Sequence, residues 1–227
     1  MLVGLGSGST VHRLVEALTQ TCPAASYVAA SPATERAAED AGLQLVPFDS
    51  AMRLDLVIDG ADQVDPRCWL IKGGGAAHTR EKILAAAAER FVVIVSSDKL
   101  VERLQPPLPL ELLPFGIEAT ISAIGNVRLR ADTPPTPDNG VIADFHGTIG
   151  DPRALARTLD RQPGVVDHGL FPPELVDLVI VGRDGGVEVA RDRRGGQTPP
   201  RLDVPSSYGH SPMDPEREAP ARSRDGR

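Results

Sequence analysis

Five successive apolar residues, Phe91-Val92-Val93-Ile94-Val95, leave an extended segment no face for water. Such a strand must be covered on both sides, as at the centre of a parallel sheet flanked by helices. The ninety positions before it support that sheet, because short aliphatic runs alternate there with helical stretches. Leu2 to Leu5, Tyr27 to Ala30, Leu43 to Val46 and Leu54 to Ile58 read as strands. Val11 to Thr19, Thr34 to Ala41 and His78 to Arg90 read as helices, the second closed by Gly42, a residue suited to helix ends.

After Lys99 the texture changes. Prolines 106, 107, 109 and 114 crowd together, then a helix is expected at Ile117 to Ile124 and strands at Val127 to Leu129 and Val141 to Phe145. A turn rich in Pro, Asp and Gly separates those strands. A helix from Pro152 to Leu159 and a strand near Val165 to Leu170 complete a small α+β lobe. Leu175 to Val181 and Val187 to Ala190 read as a hairpin returning to the main sheet. The expected division is therefore a main α/β domain over 1–105, completed by 172–194, with a small lobe over 106–171. From 195 to 227 only Leu202, Val204 and Met213 stand out as apolar among six prolines and many charges. That stretch cannot offset its ordering entropy and is expected to be disordered.

Composition narrows the function classes. A formal charge of -7 over 227 residues argues against a nucleic-acid partner, which needs a basic face. It leaves room for a small phosphorylated ligand held by a local set of donors. No apolar run approaches the ~20 residues of a membrane helix, and no charged-then-apolar leader opens the sequence. Two cysteines, Cys22 and Cys68, suit a reducing compartment better than a disulfide framework, so the cytoplasm is expected. The five histidines do not cluster, and no metal site is expected.

Four segments carry the candidate chemistry. Gly4-Leu5-Gly6-Ser7-Gly8-Ser9-Thr10 lies between a strand and a helix. Its glycines let backbone approach an anion, the helix start offers free N–H groups, and Ser7, Ser9 and Thr10 add hydroxyls. The same segment also reads as a tight turn with a Ser or Thr helix cap. Asp59-Gly60-Ala61-Asp62 follows the strand LDLVI, where α/β proteins bind ligands; an Asp-rich turn capping its own backbone is the plainer reading. Lys72-Gly73-Gly74-Gly75 opens a helix, and three consecutive glycines are costly to order without a reason. A lysine there can stabilise an enolate-like oxygen. Glu81 stands nine residues further on, in reach of the same ligand or simply favourable near a helix start. Ser96-Ser97-Asp98-Lys99 follows FVVIV and sets Lys99 where it could meet a phosphate. All four segments are expected to follow strands of one sheet and so to converge on one edge.

Together these segments resemble the A-type ribose-5-phosphate isomerase family, with its GTGST loop, DGAD turn, KGGG-A-x-x-REK run and strand ending in a lysine. Here they read GSGST, DGADQVD, KGGGAAHTREK and VSSDK, in the same order. PLPLELLPFG, DNG and PGVVDHGLF extend the likeness across Leu2 to Ala190. The resemblance implies a mostly parallel sheet flanked by helices, of the sugar-phosphate isomerase and CoA-transferase type, with a small ferredoxin-like α+β second domain. It implies interconversion of ribose 5-phosphate and ribulose 5-phosphate through a cis-enediolate, a step of the non-oxidative pentose phosphate pathway, with no metal or organic cofactor.

By the same resemblance Glu81 is the general base and Lys72 stabilises the oxyanion. Asp59 helps open the sugar ring or relays hydroxyl protons, and Asp62 binds a substrate hydroxyl. Ser7, Gly8, Ser9, Thr10, Gly60, Ala61, Gly73, Gly74, Gly75 and Lys99 complete the substrate-binding set. A homodimer or homotetramer is implied, with neither nucleic acid nor membrane as partner. This sequence differs from the family pattern in Ser7 for Thr, Gln63 for Glu, and Ser96-Ser97-Asp98 ahead of the lysine. It also lacks the family's helix ahead of the first strand, which suggests a misplaced start or a truncated domain. Three other readings stay open: an isomerase of another phosphosugar, a non-catalytic sugar-phosphate sensor on the same fold, and a degraded paralogue.

Overall fold

The computed structural model describes residues 1–21, 24–49, 53–183 and 185–192, so the expected disordered tail and Cys22 lie outside the described residues. The chain opens with β1 (Leu2–Leu5), α1 (Gly8–Thr21), β2 (Ser26–Ala29), α2 (Pro32–Asp40) and β3 (Leu56–Asp59). Two very short strands follow, β4 (Gln63–Val64) and β5 (Leu70–Ile71), then α3 (His78–Ala87) and β6 (Phe91–Ser96). A second group comprises β7 (Leu108–Leu112), α4 (Ile117–Ile124), β8 (Val127–Leu129), β9 (Val141–Phe145), α5 (Pro152–Asp160) and β10 (Val165–His168). β11 (Leu170–Phe171), β12 (Leu178–Arg183) and β13 (Gly186–Asp192) end the described chain.

The main sheet runs β13-β12-β6-β3-β1-β2. All neighbours are parallel except the β12–β13 hairpin. FVVIV is central, as expected: β6 lies between β3 and β12, and Phe91, Val93 and Val95 are buried with Val57, Val179 and Val181. Each such side chain contributes about 1.5–3 kcal/mol on leaving water. α1 and α2 cover the β1–β2 end through Val11, Val15 and Ala38. Ser31 caps α2 by accepting from the Thr34 N–H, with Pro32 preset for the first turn.

The second sheet, β10-β7-β9-β8, is wholly antiparallel. Its β-α-β-β-α-β order is the ferredoxin-like arrangement, and Ile117, Ile121, Leu155 and Leu159 from its helices pack on Leu108, Leu110 and Leu112. A third small sheet, β11-β5-β4, bridges the two. The fold is thus α/β with a separate antiparallel sheet. No helix among the described residues is long and apolar enough to cross a membrane.

Three expectations need correction. Leu43 to Val46 is not a strand: it meets β2 only through a Tyr27–Leu45 bridge, and Pro47, which has no N–H, follows at once. The helix from His78 ends at Ala87 rather than Arg90, because Ala88 turns extended to bridge Leu54. The glycine run does not follow a main-sheet strand. It follows β5, whose two residues pair antiparallel with β4 and β11.

Candidate active site

The order of the main sheet reverses at β1. The chain passes from β1 through α1 to β2 on one side, then returns to β3 on the other. Ligands of open α/β sheets bind at such a switch point, beyond the carboxyl ends of the two central strands. Those ends here carry Gly6-Ser7-Gly8 and Asp59-Gly60-Ala61-Asp62.

The two turns fit together only because residue 6 is a glycine: a Cβ there would lie 1.8 Å from Asp59 Cγ. Asp59 is completely buried, and its Oδ1 accepts from the N–H groups of Ser7 at 3.1 Å and Gly60 at 2.7 Å. Gly6→Ala is expected to push this carboxylate out of place, costing about 2–3 kcal/mol in urea unfolding and most of the activity.

The KGGG segment reaches the same edge by backbone pairing. Asp62 N–H donates to Ile71 O at 2.8 Å, and Lys72 N–H donates to Gly169 O at 2.9 Å. The Lys72 ammonium then donates to Gly60 O at 2.6 Å and stands 2.8 Å from Asp59 Oδ2 and 3.1 Å from Glu81 Oε2. Glu81 sits in the first turn of α3, and its Oε1 accepts from the Ser7 hydroxyl at 2.5 Å. Asp59, Lys72 and Glu81 are each no more than 3% exposed. The ring of Phe171 backs the ammonium at 5.4 Å.

Two carboxylates and one ammonium, all out of water, cannot all be charged without cost. Burial, and then the neighbouring Glu81 charge, push Asp59 up to about 7, against the opposing pull of Lys72 and the Ser7 N–H. Burial works to lower Lys72, but the Asp59 and Glu81 carboxylates outweigh it and hold the ammonium above its ordinary value. The result is a fixed cation between a carboxylate oriented by a serine and a carboxyl poised near neutrality. Such a set can move a proton and stabilise the oxyanion that forms.

A cavity of about 690 Å³ opens beside this cluster, with Ser7, Gly8, Gly74 and Gly75 in its wall together with Arg36 and Arg130. Gly8, Ser9 and Thr10 are exposed at the start of α1, where N–H groups are free to meet an anion. Asp62 Oδ2 accepts from Gly74 N–H at 2.8 Å, which ties the DGAD turn to the glycine loop. A larger cavity of about 770 Å³, bounded by Val46, Phe48, Ile83 and Leu113, contains no member of the cluster; the chemistry, not the volume, marks the site.

The structure therefore brings Ser7, Asp59, Gly60, Asp62, Lys72, Gly74 and Glu81 together. Lys99 is different: it follows β6 in a single 3-10 turn, half-exposed, and its ion pair is with Asp98 at 3.2 Å. Ser96 donates to Asp98 and, with Lys99, holds that carboxyl below its ordinary value. Gln63 donates to Gln105 O at 2.9 Å and accepts from Gln105 N at 2.8 Å, a two-way bond an ionised glutamate could not make. The sequence reading missed Arg130, Asp144 and the buried Glu111, which accepts from Thr79 and, at 2.6 Å, from Thr136. No local motif marks them, since each acts on a partner more than ten residues away.

Comparison with known proteins gives the family. Residues 26–186 match the family model described as ribose 5-phosphate isomerase A (phosphoriboisomerase A). A ribose-5-phosphate isomerase A of Synechococcus sp. strain WH7803 is 43% identical over 210 residues, covering 84% of this chain and 88% of that protein. One of Methanosarcina acetivorans is 41% identical over 203 residues, covering 83% and 86%. Among solved structures, ribose 5-phosphate isomerase A of Methanocaldococcus jannaschii superposes with a TM-score of 0.77 at 31% identity, covering 85% of this chain and 91% of that one. A D-ribose-5-phosphate isomerase in complex with phospho-erythronic acid gives 0.78 at 33% identity, covering 84% and 90%. With Asp59, Lys72 and Glu81 inside the matched span and the fold shared over most of its length, the chain belongs to the ribose 5-phosphate isomerase A family, whose members are aldose–ketose isomerases.

Proposed function

We propose that this chain interconverts ribose 5-phosphate and ribulose 5-phosphate by a proton transfer between C2 and C1 through a cis-enediolate, with Glu81 as the base. The observation that carries the reading is the buried Ser7–Glu81–Lys72–Asp59 cluster at the switch point of the sheet. Aldose–ketose isomerisation needs a base that takes a proton from one carbon and returns it to its neighbour. It also needs a cation beside the oxygen that gains charge in between.

Glu81 suits the first task, because the Ser7 hydroxyl fixes one carboxylate oxygen and leaves the other toward Lys72. Lys72 suits the second, because the two carboxylates beside it outweigh the cost of burial and keep it charged near neutral pH. Asp59, near 7, can take or give a proton at a sugar hydroxyl during ring opening. The phosphate is assigned to the N–H groups and hydroxyls of Gly8, Ser9 and Thr10 at the start of α1. Asp62 and the glycine loop are assigned to the sugar hydroxyls. Lys99 has a part only if it leaves Asp98 on binding.

Incubating the purified chain with ribose 5-phosphate and following ribulose 5-phosphate by NMR tests this reading. Turnover is expected with ribose 5-phosphate preferred over ribose, arabinose 5-phosphate and glucosamine 6-phosphate. Preference for another phosphosugar would move the assignment to that substrate, and tight binding without turnover would show a sensor.

A further inference from the structure

We infer that Arg130, a residue of the antiparallel sheet, is a positioning residue of the active site: its guanidinium sets the two glycine peptides that meet the substrate. The inference rests on the isomerase reading above for what the loop binds, and on the following geometry for how the loop is held.

Arg130 follows β8, and its backbone N–H donates to Ile142 O at 3.0 Å, so its Cα belongs to the second sheet. Asp144 on β9 takes the guanidinium by a fork, Nε to Oδ2 at 2.9 Å and Nη2 to Oδ1 at 2.5 Å. Fixed in that way, the remaining Nη1 donates to Gly73 O at 3.0 Å and Gly74 O at 3.1 Å. Both ion-pair side chains are only 16–20% exposed, so the fork competes little with water.

The consequence lies in the peptide planes. A trans peptide points its C=O and its N–H in opposite directions. The Gly73–Gly74 peptide shows the effect: its carbonyl faces Arg130 while its N–H donates to Asp62 Oδ2 at 2.8 Å. The Gly74–Gly75 peptide is fixed by its own carbonyl, which directs the Gly75 N–H away from Arg130. A Cβ on Gly75 would lie 3.5 Å from the Ser7 hydroxyl, so this peptide borders the reacting cluster. Among the described residues the Gly75 N–H has no hydrogen-bond partner, and the loop lines the cavity. Without a side chain to restrain it, a triple-glycine loop has many conformations to lose on binding. Arg130 removes that freedom in advance, reaching across from the other sheet to do so. The reacting groups do not depend on it, since Lys72 is held by Gly60 O, Gly169 O and the two carboxylates.

The test is Arg130→Lys, which keeps the charge but cannot hold Asp144 by a fork and bridge two carbonyls at once. The expected result is a rise in KM for ribose 5-phosphate of about tenfold or more, with kcat within about threefold and an unchanged pH profile. A merely structural role would lower thermal stability or the active fraction and leave KM alone. An unchanged KM, with or without a fall in kcat, overturns the proposal.

A second readout needs no substrate, so failure of the isomerase reading is told apart from failure of this one. Hydrogen exchange at Gly74 N–H is expected to speed up about tenfold or more in Arg130→Lys, with the amides of Phe91–Val95 unchanged. Equal exchange at Gly74 in both proteins would overturn the proposal even if the chain isomerises ribose 5-phosphate.

Discussion

Lys72→Met is expected to unfold about 3–5 kcal/mol more easily than the parent chain at pH 8, with a deficit that shrinks toward pH 5. The substitution keeps the length of the side chain and removes the ammonium that stands between two carboxylates that are 0% and 3% exposed. Removing one partner of a buried ion pair leaves the others charged and uncompensated, which is the costly way to break it.

The sign with pH follows from Asp59. Its carboxyl stands at about 7 in the folded chain against an ordinary 3.8, even with Lys72 pulling it down. A group raised on folding contributes stability that is complete below its unfolded value and is lost as the pH climbs through its folded value. Without the lysine the folded value rises further, so the loss at pH 8 is larger and acid relieves it by protonation. Urea unfolding of both proteins at pH 5, 6.5 and 8 measures this directly. A deficit that is constant across that range would mean the lysine contributes packing against Phe171 rather than charge. Turnover is expected to fall about 10²–10³-fold at every pH, because the proposed mechanism places that charge beside the enediolate oxygen.

The second large effect is on chemistry alone. Glu81→Gln is expected to lower kcat about 10²–10⁴-fold while leaving KM within a few-fold and the fold intact. The amide is nearly isosteric, can still accept from the Ser7 hydroxyl, and relieves rather than adds charge in the cluster. It cannot accept a proton from carbon. Circular dichroism and thermal unfolding are expected to match the parent chain, so a loss of rate is read as loss of the base. Lys72→Met changes stability and rate together; Glu81→Gln separates them.

Much of this site was legible in the sequence, for a physical reason. Phosphate loops, carboxylates at strand ends and glycine runs are local devices, so GSGST, DGAD and KGGG announce themselves within a few residues. The central position of FVVIV was equally readable, since an all-apolar strand has only one kind of place to go. The fold was less legible where local signals were short or contradictory. β4, β5 and β11 are two residues each, too brief for periodicity to register, yet β5 delivers Lys72 to the site. β7 escaped notice because Pro109 lies inside it, although the register sets that proline opposite Asp144, the second of the five pairs with β9. Leu43 to Val46 looked like a strand and is held to β2 by a single bridge. Arg130 could not have been found locally, because the carbonyls it holds lie 56 and 57 positions away. Lys99, which the motif singled out, forms a half-exposed ion pair with Asp98.

The proposed isomerisation depends most directly on Glu81 moving the proton. The measurement is deuterium entering C1 of ribulose 5-phosphate when ribose 5-phosphate is converted in D₂O, followed by proton NMR for the parent chain beside Glu81→Gln. Conversion with solvent label at C1 is expected in the parent chain, and neither conversion nor label above about one hundredth of that rate in Glu81→Gln. Label entering at a comparable rate in Glu81→Gln would contradict it, because the proton would then be moved by some group other than the carboxylate that Ser7 and Lys72 hold in place.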